Sequence, residues 1–229
     1  MNKEVQKFLV LGILFVFPVL IYLFFASGKN NFSTLPILSE SVDEIDGWKT
    51  DRGNRIQLED RITILGFWGR ALERKRGDAL NLNQKIYKRF YEFNDFQFVM
   101  VLEEGQQKEV ALLQKELTEG VGTDLVKWNF IYADSLGIQQ FFQSLKTPLQ
   151  LDAQLSRPEV FIVDKERNLR GRDDDEDNSV LYGFNAESVA EINNKMLDDI
   201  KVILAEYRRA LKKYNKPKKE SHVQRLTVR

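Results

Sequence analysis

The sequence predicts an α/β domain, a mixed sheet flanked by helices, behind a single N-terminal membrane helix. Three patterns carry that expectation. An uncharged apolar run opens the chain at Phe8 to Ala26 (FLVLGILFVFPVLIYLFFA). Short, dense apolar runs then alternate with segments of helical periodicity. The chain closes on a hairpin pattern and its most regular amphipathic helix. The expected organisation is a cytoplasmic N-terminus at 1–7, a transmembrane anchor at 8–26, a tether at 27–47, a folded domain at 48–213, and a basic, disordered tail at 214–229.

The opening run is broken only by Gly12 and Pro18. At about 1.5 Å per residue it reaches roughly 28 Å, the thickness of a hydrocarbon core. A cleaved signal peptide is the competing reading, with Ala26-Ser27-Gly28 as its small-residue site, but the apolar run is longer than an ordinary signal core. Lys3, Lys7 and the amino group precede the run and Lys29 is the only close base after it. The positive-inside rule then puts the N-terminus in the cytoplasm and residues 28–229 on the outer, periplasmic side of a cytoplasmic membrane.

A short strand is expected around Leu35–Leu38, and Asp51-Arg52-Gly53-Asn54 reads as a turn. Ile62–Trp68 (ITILGFW), Phe96–Leu102 (FQFVMVL), Trp128–Ala133 (WNFIYA) and Val160–Val163 (VFIV) read as buried strands. Between them, Leu82, Ile86, Phe90 and Phe93 mark one helix; Val110, Leu113 and Leu117 mark a second, ended by Gly120 and Gly122; Ile138–Leu145 is a third. Lys165–Asn168 is a turn into Leu169–Arg172, with Val180–Phe184 extending the hairpin. Val189, Ile192, Met196, Ile200, Ile203, Tyr207 and Leu211 line one face of a last helix, capped by Ser188 with Glu191. Alternating strands and helices imply parallel pairing, and the terminal hairpin adds antiparallel edges.

Composition excludes several chemistries. The chain of 229 residues has no cysteine and one histidine. Disulfides, thiol nucleophiles, dithiol redox pairs, thiolate zinc sites and iron–sulfur clusters are excluded. Lys plus Arg and Asp plus Glu are both 34, so the formal net charge is zero and polyanion binding by the whole molecule, nucleic acid included, is not expected. The charge is unevenly spread: Tyr207–Arg229 holds nine bases and one acid. That stretch suits anionic headgroups or an acidic partner, or is a solubilising end. His222 lies within it, remote from any triad geometry. No phosphate-cradling glycine motif is present.

The element order is that of a thioredoxin-like fold. The stretch Asp51–Leu58 (DRGNRIQL) followed by Ile62–Gly69 (ITILGFWG) resembles the start of the core in the Sco/SenC family. The resemblance covers roughly residues 35–210 and rests on pattern. It implies a membrane-anchored domain facing away from the cytoplasm, in a family that serves copper delivery to cytochrome oxidase. Members carry CxxxC after a Gly-Phe strand end and a later histidine. With Gly66-Phe67 laid on that Gly-Phe, the cysteine positions fall on Arg70 and Arg74, and Gln154–Pro158 stands where the histidine would be. Arginine offers no lone pair to a metal, so neither copper binding nor thiol exchange follows from this site, and no cofactor is expected. Pro158-Glu159-Val160-Phe161-Ile162-Val163-Asp164 is similar to a strand of related thiol-oxidoreductase domains, which makes Pro158 the candidate cis-proline facing the site.

Arg70, Arg74 and Arg76, with Lys75, cluster where a helix begins. They read either as an anion or acidic-partner site or as a solvated loop offset by Glu73 and Asp78. The run Asp173–Asp177 lacks the glycine and distant glutamate of a calcium loop and reads as a flexible acidic hairpin loop. The leading expectation is a non-catalytic, membrane-anchored bacterial protein acting by binding or assembly with an unidentified protein partner. The alternatives are an accessory factor in copper handling or cytochrome oxidase assembly with ligands from a partner, and a thiol-free enzyme using carboxylates or arginines near Arg70 and Pro158.

Overall fold

The computed structural model describes residues 3–27, 34–45, 47–122 and 124–214. They divide into two compact units, residues 1–33 and 34–229. The expected tether residues 28–33, and the basic tail with His222 from residue 215 onward, lie outside the described residues.

The first unit is one helix, α1 (Lys3–Ser27), with Pro18 inside it. Its stretch Glu4–Phe24 has a mean hydropathy of 2.5 and none of it is buried within the protein. It is long and apolar enough to cross a membrane, with Phe8, Phe15, Tyr22 and Phe24 exposed along it.

The second unit is built on an eight-stranded mixed sheet. Its strands are β1 (Ile37–Ser39), β2 (Lys49–Thr50), β3 (Ile62–Gly69), β4 (Phe96–Glu103), β5 (Trp128–Ala133), β6 (Glu159–Val163), β7 (Leu169–Arg170) and, off the main path, Phe184–Asn185. The order is β1-β7-β6-β3-β4-β5-β2, and Phe184–Asn185 pairs with β6. Strands β3, β4 and β5 are parallel, with Ile62 opposite Phe96 and Phe98 opposite Trp128. Every residue of β3 and β5 is buried, the continuous apolar signature of strands covered on both faces.

Four helices cover the sheet. The first, α2, spans residues 72–90 and runs from a 3-10 turn (Leu72–Lys75) through Arg76–Leu82 and a π-helical stretch (Asn83–Tyr87) to Lys88–Phe90. The others are α3 (Gln107–Val121), α4 (Ser135–Ser144) and α5, residues 189–214, which also contains a π-helical stretch at Ile192–Met196. Alternation along β3 divides the core. Ile62, Ile64 and Trp68 pack with Leu82, Ile86, Leu113, Leu117, Ile192, Met196 and Ile200 from α2, α3 and α5. Leu65 and Phe67 face the other way, to Ile138, Phe141 and Phe142 of α4 and to Val42, Ile45 and Leu58. Helix α3 ends on Gly122 at φ +69°, whose N–H donates to the Thr118 carbonyl. The start of α5 uses half of the expected capping box. Ser188 Oγ accepts the Glu191 N–H, while Glu191 Oε1 accepts from the Asn185 N–H instead of from Ser188.

One sequence expectation is corrected and another is refined. Strand β6 follows a helix yet runs antiparallel to β3. The reason is the segment between α4 and β6: it returns to the carboxyl ends of the parallel strands, where the Gln154 carbonyl accepts the Arg70 N–H and the Arg157 N–H donates to the Phe67 carbonyl. The acidic run lies in a hairpin with Asp173, Asp174, Glu176 and Asp177 exposed, but Asp175 departs from the solvated reading. Residues Arg172–Asp175 form β8, paired with β9 (Ser179–Leu181) in a separate hairpin. Asp175 is buried and accepts two hydrogen bonds from Lys195 Nζ at 2.7 and 2.8 Å, while Asp177 takes the same ammonium at 2.7 Å. Arg172 forks Asp199 at 2.8 Å through Nε and Nη2, so three ion pairs fasten this hairpin to α5.

Candidate functional site

The carboxyl ends of β3, β4 and β5 meet at one pole of the sheet, the usual place for a site in parallel sheets. Gly69 ends β3 at φ +48°, and a Cβ there would lie 2.1 Å from the Gln154 carbonyl oxygen and 2.4 Å from that of Leu155. Only glycine permits this turn and this approach. The chain leaves it into Arg70, which is exposed.

Arg70 forks Glu103, the last residue of β4. Nη2 reaches Oε1 at 2.5 Å and Nε pairs with Oε2. Ser135, opening α4 after β5, donates from Oγ to Glu103 Oε1 at 2.5 Å and accepts from Arg70 Nη2 at 2.9 Å. Gln106 adds an amide hydrogen bond to the Gly69 carbonyl. The three strand ends are thus tied by one arginine, one glutamate, one serine and one glutamine. Arg70 and then Ser135 hold the Glu103 carboxyl below the usual carboxylate range, and Glu103 in turn raises the Arg70 guanidinium. A carboxylate so stabilised is a weak base, the opposite of what general acid–base catalysis near neutral pH requires.

The other two arginines do not converge on Arg70. Arg74 Nη2 lies 3.2 Å from Asp152. Burial pushes the Asp152 carboxyl up, but the Ser156 and Gln154 N–H groups and Arg74 outweigh it and leave it below its usual range. Arg76 lies between Glu73 at 3.6 Å and Glu116 of α3 at 3.3 Å. The cluster that is contiguous in sequence therefore turns to three different elements. Its fourth base, Lys75, is buried and pairs with Asp78 at 2.8 Å and Glu187 at 3.5 Å.

Pro158 precedes β6 and is half-buried; its carbonyl accepts the Ala186 N–H at 2.9 Å. It is not the cis-proline expected: among the described residues there is no cis peptide bond. Arg157 donates its N–H to the Phe67 carbonyl, and the chain bends at Pro158 as it enters β6. Sequence reasoning missed Glu103, Ser135, Gln106 and Asp152. The available signal was position: Glu103 ends one buried parallel strand and Ser135 stands two residues past another, where side chains converge. Among the described residues no three His, Asp or Glu side chains gather in a way that could hold a metal ion.

Solved structures share this architecture. BsSco, a member of the Sco family of cytochrome c oxidase assembly proteins, superposes with a TM-score of 0.52 at 12% identity, over 75% of this chain and 98% of that one. A SCO1/SenC family lipoprotein from Bacillus anthracis str. Ames gives 0.52 at 13% identity, over 75% of this chain and 99% of that one. No protein-family model matches the sequence, and no curated protein matches it. At this identity the likeness is one of fold. The second unit accordingly has the thioredoxin-like fold of the Sco/SenC proteins, carried by a chain without cysteine.

Proposed function

We propose that this protein is a membrane-anchored, non-catalytic thioredoxin-fold domain that acts by binding or assembly on the outer face of a bacterial cytoplasmic membrane. Thiol redox is excluded by composition. The observation that carries the rest is the closure of the carboxyl pole by Arg70, Glu103 and Ser135, the place where this fold would present reactive groups. A paired arginine and a stabilised carboxylate are suited to shaping a surface, and poorly suited to moving protons or electrons. The Sco likeness supports assembly as the form that binding takes, with copper, if it is handled at all, held by a partner's ligands.

The test is crosslinking of the full chain in native membranes, followed by identification of co-purifying proteins, for the parent and for Arg70→Ser/Arg74→Ser. A defined partner set that shrinks in the variant is expected. An unchanged set removes these arginines from the interface. Copper(I) titration of the detergent-solubilised chain against a chromophoric chelator is expected to show no competition, and tight intrinsic copper binding would overturn the reading.

A further inference from the structure

Each arginine of the cluster at the carboxyl pole faces a carboxylate of the protein. The amino ends of the same strands are different. A pocket of about 350 Å³ opens there, with Arg55, Arg61 and Lys127 in its wall and no Asp or Glu among its lining residues. Arg61 is the residue before β3 and Lys127 the residue before β5, so two adjacent parallel ladders set their positions.

None of the three bases has a carboxylate partner among the described residues. Arg61 Nη1 donates to the Asn94 carbonyl at 2.8 Å and Lys127 Nζ to the Phe93 carbonyl. Arg55 is exposed and makes no hydrogen bond or ion pair among the described residues. Asp95, the acid that acts on Lys127, is itself paired with Lys165. Burial, and then repulsion from Arg61, lower the Lys127 ammonium pKa, with Asp95 pulling the other way.

The rest of the wall is amide. Buried Gln97 donates to the Gln57 carbonyl at 2.8 Å and to Thr63 Oγ1 at 2.9 Å, and buried Asn129 donates to the Phe98 carbonyl, so the floor is a fixed part of the sheet. The side-chain amide hydrogens of Asn54 and Asn94 have no acceptor among the described residues and are free to serve a ligand.

We propose that this pocket binds a phosphate group, carried either by a small soluble molecule or by a lipid headgroup. Two guanidinium forks and an ammonium match the charge and the several oxygens of a phosphate better than those of a single carboxylate. The volume falls in the range of small-molecule sites, about 300–1,000 Å³. The site lies at the opposite end of the β3 and β5 strands from Arg70, so it can fail or stand independently of the proposed function.

The test uses the full chain in non-ionic detergent, titrated calorimetrically with inorganic phosphate and with pyrophosphate. In a second arm the chain sits in nanodiscs of phosphatidylcholine alone or with phosphatidic acid, and hydrogen exchange is followed at residues 54–61, 93–97 and 126–129. Saturable binding in the first arm assigns a soluble ligand; protection that depends on phosphatidic acid assigns a headgroup. In the responding arm Arg55→Ser/Arg61→Ser is expected to weaken binding about tenfold or more, and Lys108→Ser, at an exposed base outside the pocket, to leave it unchanged. Arg55→Ser alone removes no hydrogen bond or ion pair among the described residues, so a severalfold loss is expected with an unchanged Tm, which is measured alongside. No response in either arm, or full binding by the Arg55→Ser/Arg61→Ser variant, would overturn the proposal.

Discussion

Arg170 offers the sharpest test of how the domain holds together. Its guanidinium is buried, with 6% of the residue exposed, where β7, the segment before β1 and α5 meet. Nε donates to the Leu35 carbonyl at 2.8 Å, Nη1 to Asp164 at 2.9 Å and Nη2 to Glu206 at 2.6 Å; Glu206 also accepts the Leu35 N–H at 2.6 Å. Arg170→Met keeps the apolar stem and removes the charge. Breaking a buried pair from one side costs about 3–5 kcal/mol, because it strands the other charge. Asp164 is 1% exposed at its side chain but keeps the N–H groups of Glu166 and Asn168, at 3.1 and 2.7 Å. Glu206, at 20%, can turn toward water. Both reliefs point to the lower end, about 3 kcal/mol. For a domain of this size that lowers Tm by about 6–12 °C. The assay is thermal and urea unfolding of the full chain in detergent, followed by near-ultraviolet circular dichroism. Adding Asp164→Asn should recover part of the loss, a coupling of about 1 kcal/mol or more. A loss below about 1 kcal/mol, or additive single and double variants, would refute the buried-network account.

Three further outcomes are expected. Gly69→Ala should cost about 3 kcal/mol, from a left-handed residue together with a Cβ driven into the Gln154 and Leu155 carbonyls, and urea melts read it directly. Acid should destabilise the fold. The Glu103, Asp152 and Asp175 carboxyls lie below their usual range, so the unfolded chain binds more protons and stability is lost as pH falls below about 4. Burial lifts Asp78 and Asp199, which oppose that trend. Tm measured from pH 7 to 3 should fall less steeply in Asp175→Asn, and an equal slope would remove Asp175 as a contributor. The cysteine-free background also allows a clean topology test: Asp174→Cys should react with an impermeant maleimide on intact cells and Asn2→Cys should not, and the reverse pattern would invert the proposed orientation.

The membrane-length helix, the strands β3 to β6 and the helices between them were legible from residue order, because apolar periodicity reports local geometry and each element buries a continuous face. The lack of cysteine needed no structure at all, and it alone closes off thiol chemistry. Partnership was another matter. Arg70, Arg74 and Arg76 look like one basic patch along the chain, yet they pair with Glu103, Asp152 and Glu116, 33, 78 and 40 residues away. Asp175 sits in an acidic run that reads as solvated, yet it is buried on Lys195, and the isolated Arg170 holds three segments. The direction of β6 and the gathering of Arg55, Arg61 and Lys127 in one pocket are likewise settled by chain return and sheet register. Charges act through space over a few ångströms. Composition sets how many there are, and only the tertiary fold decides which ones meet and which are left facing a pocket without a counter-charge.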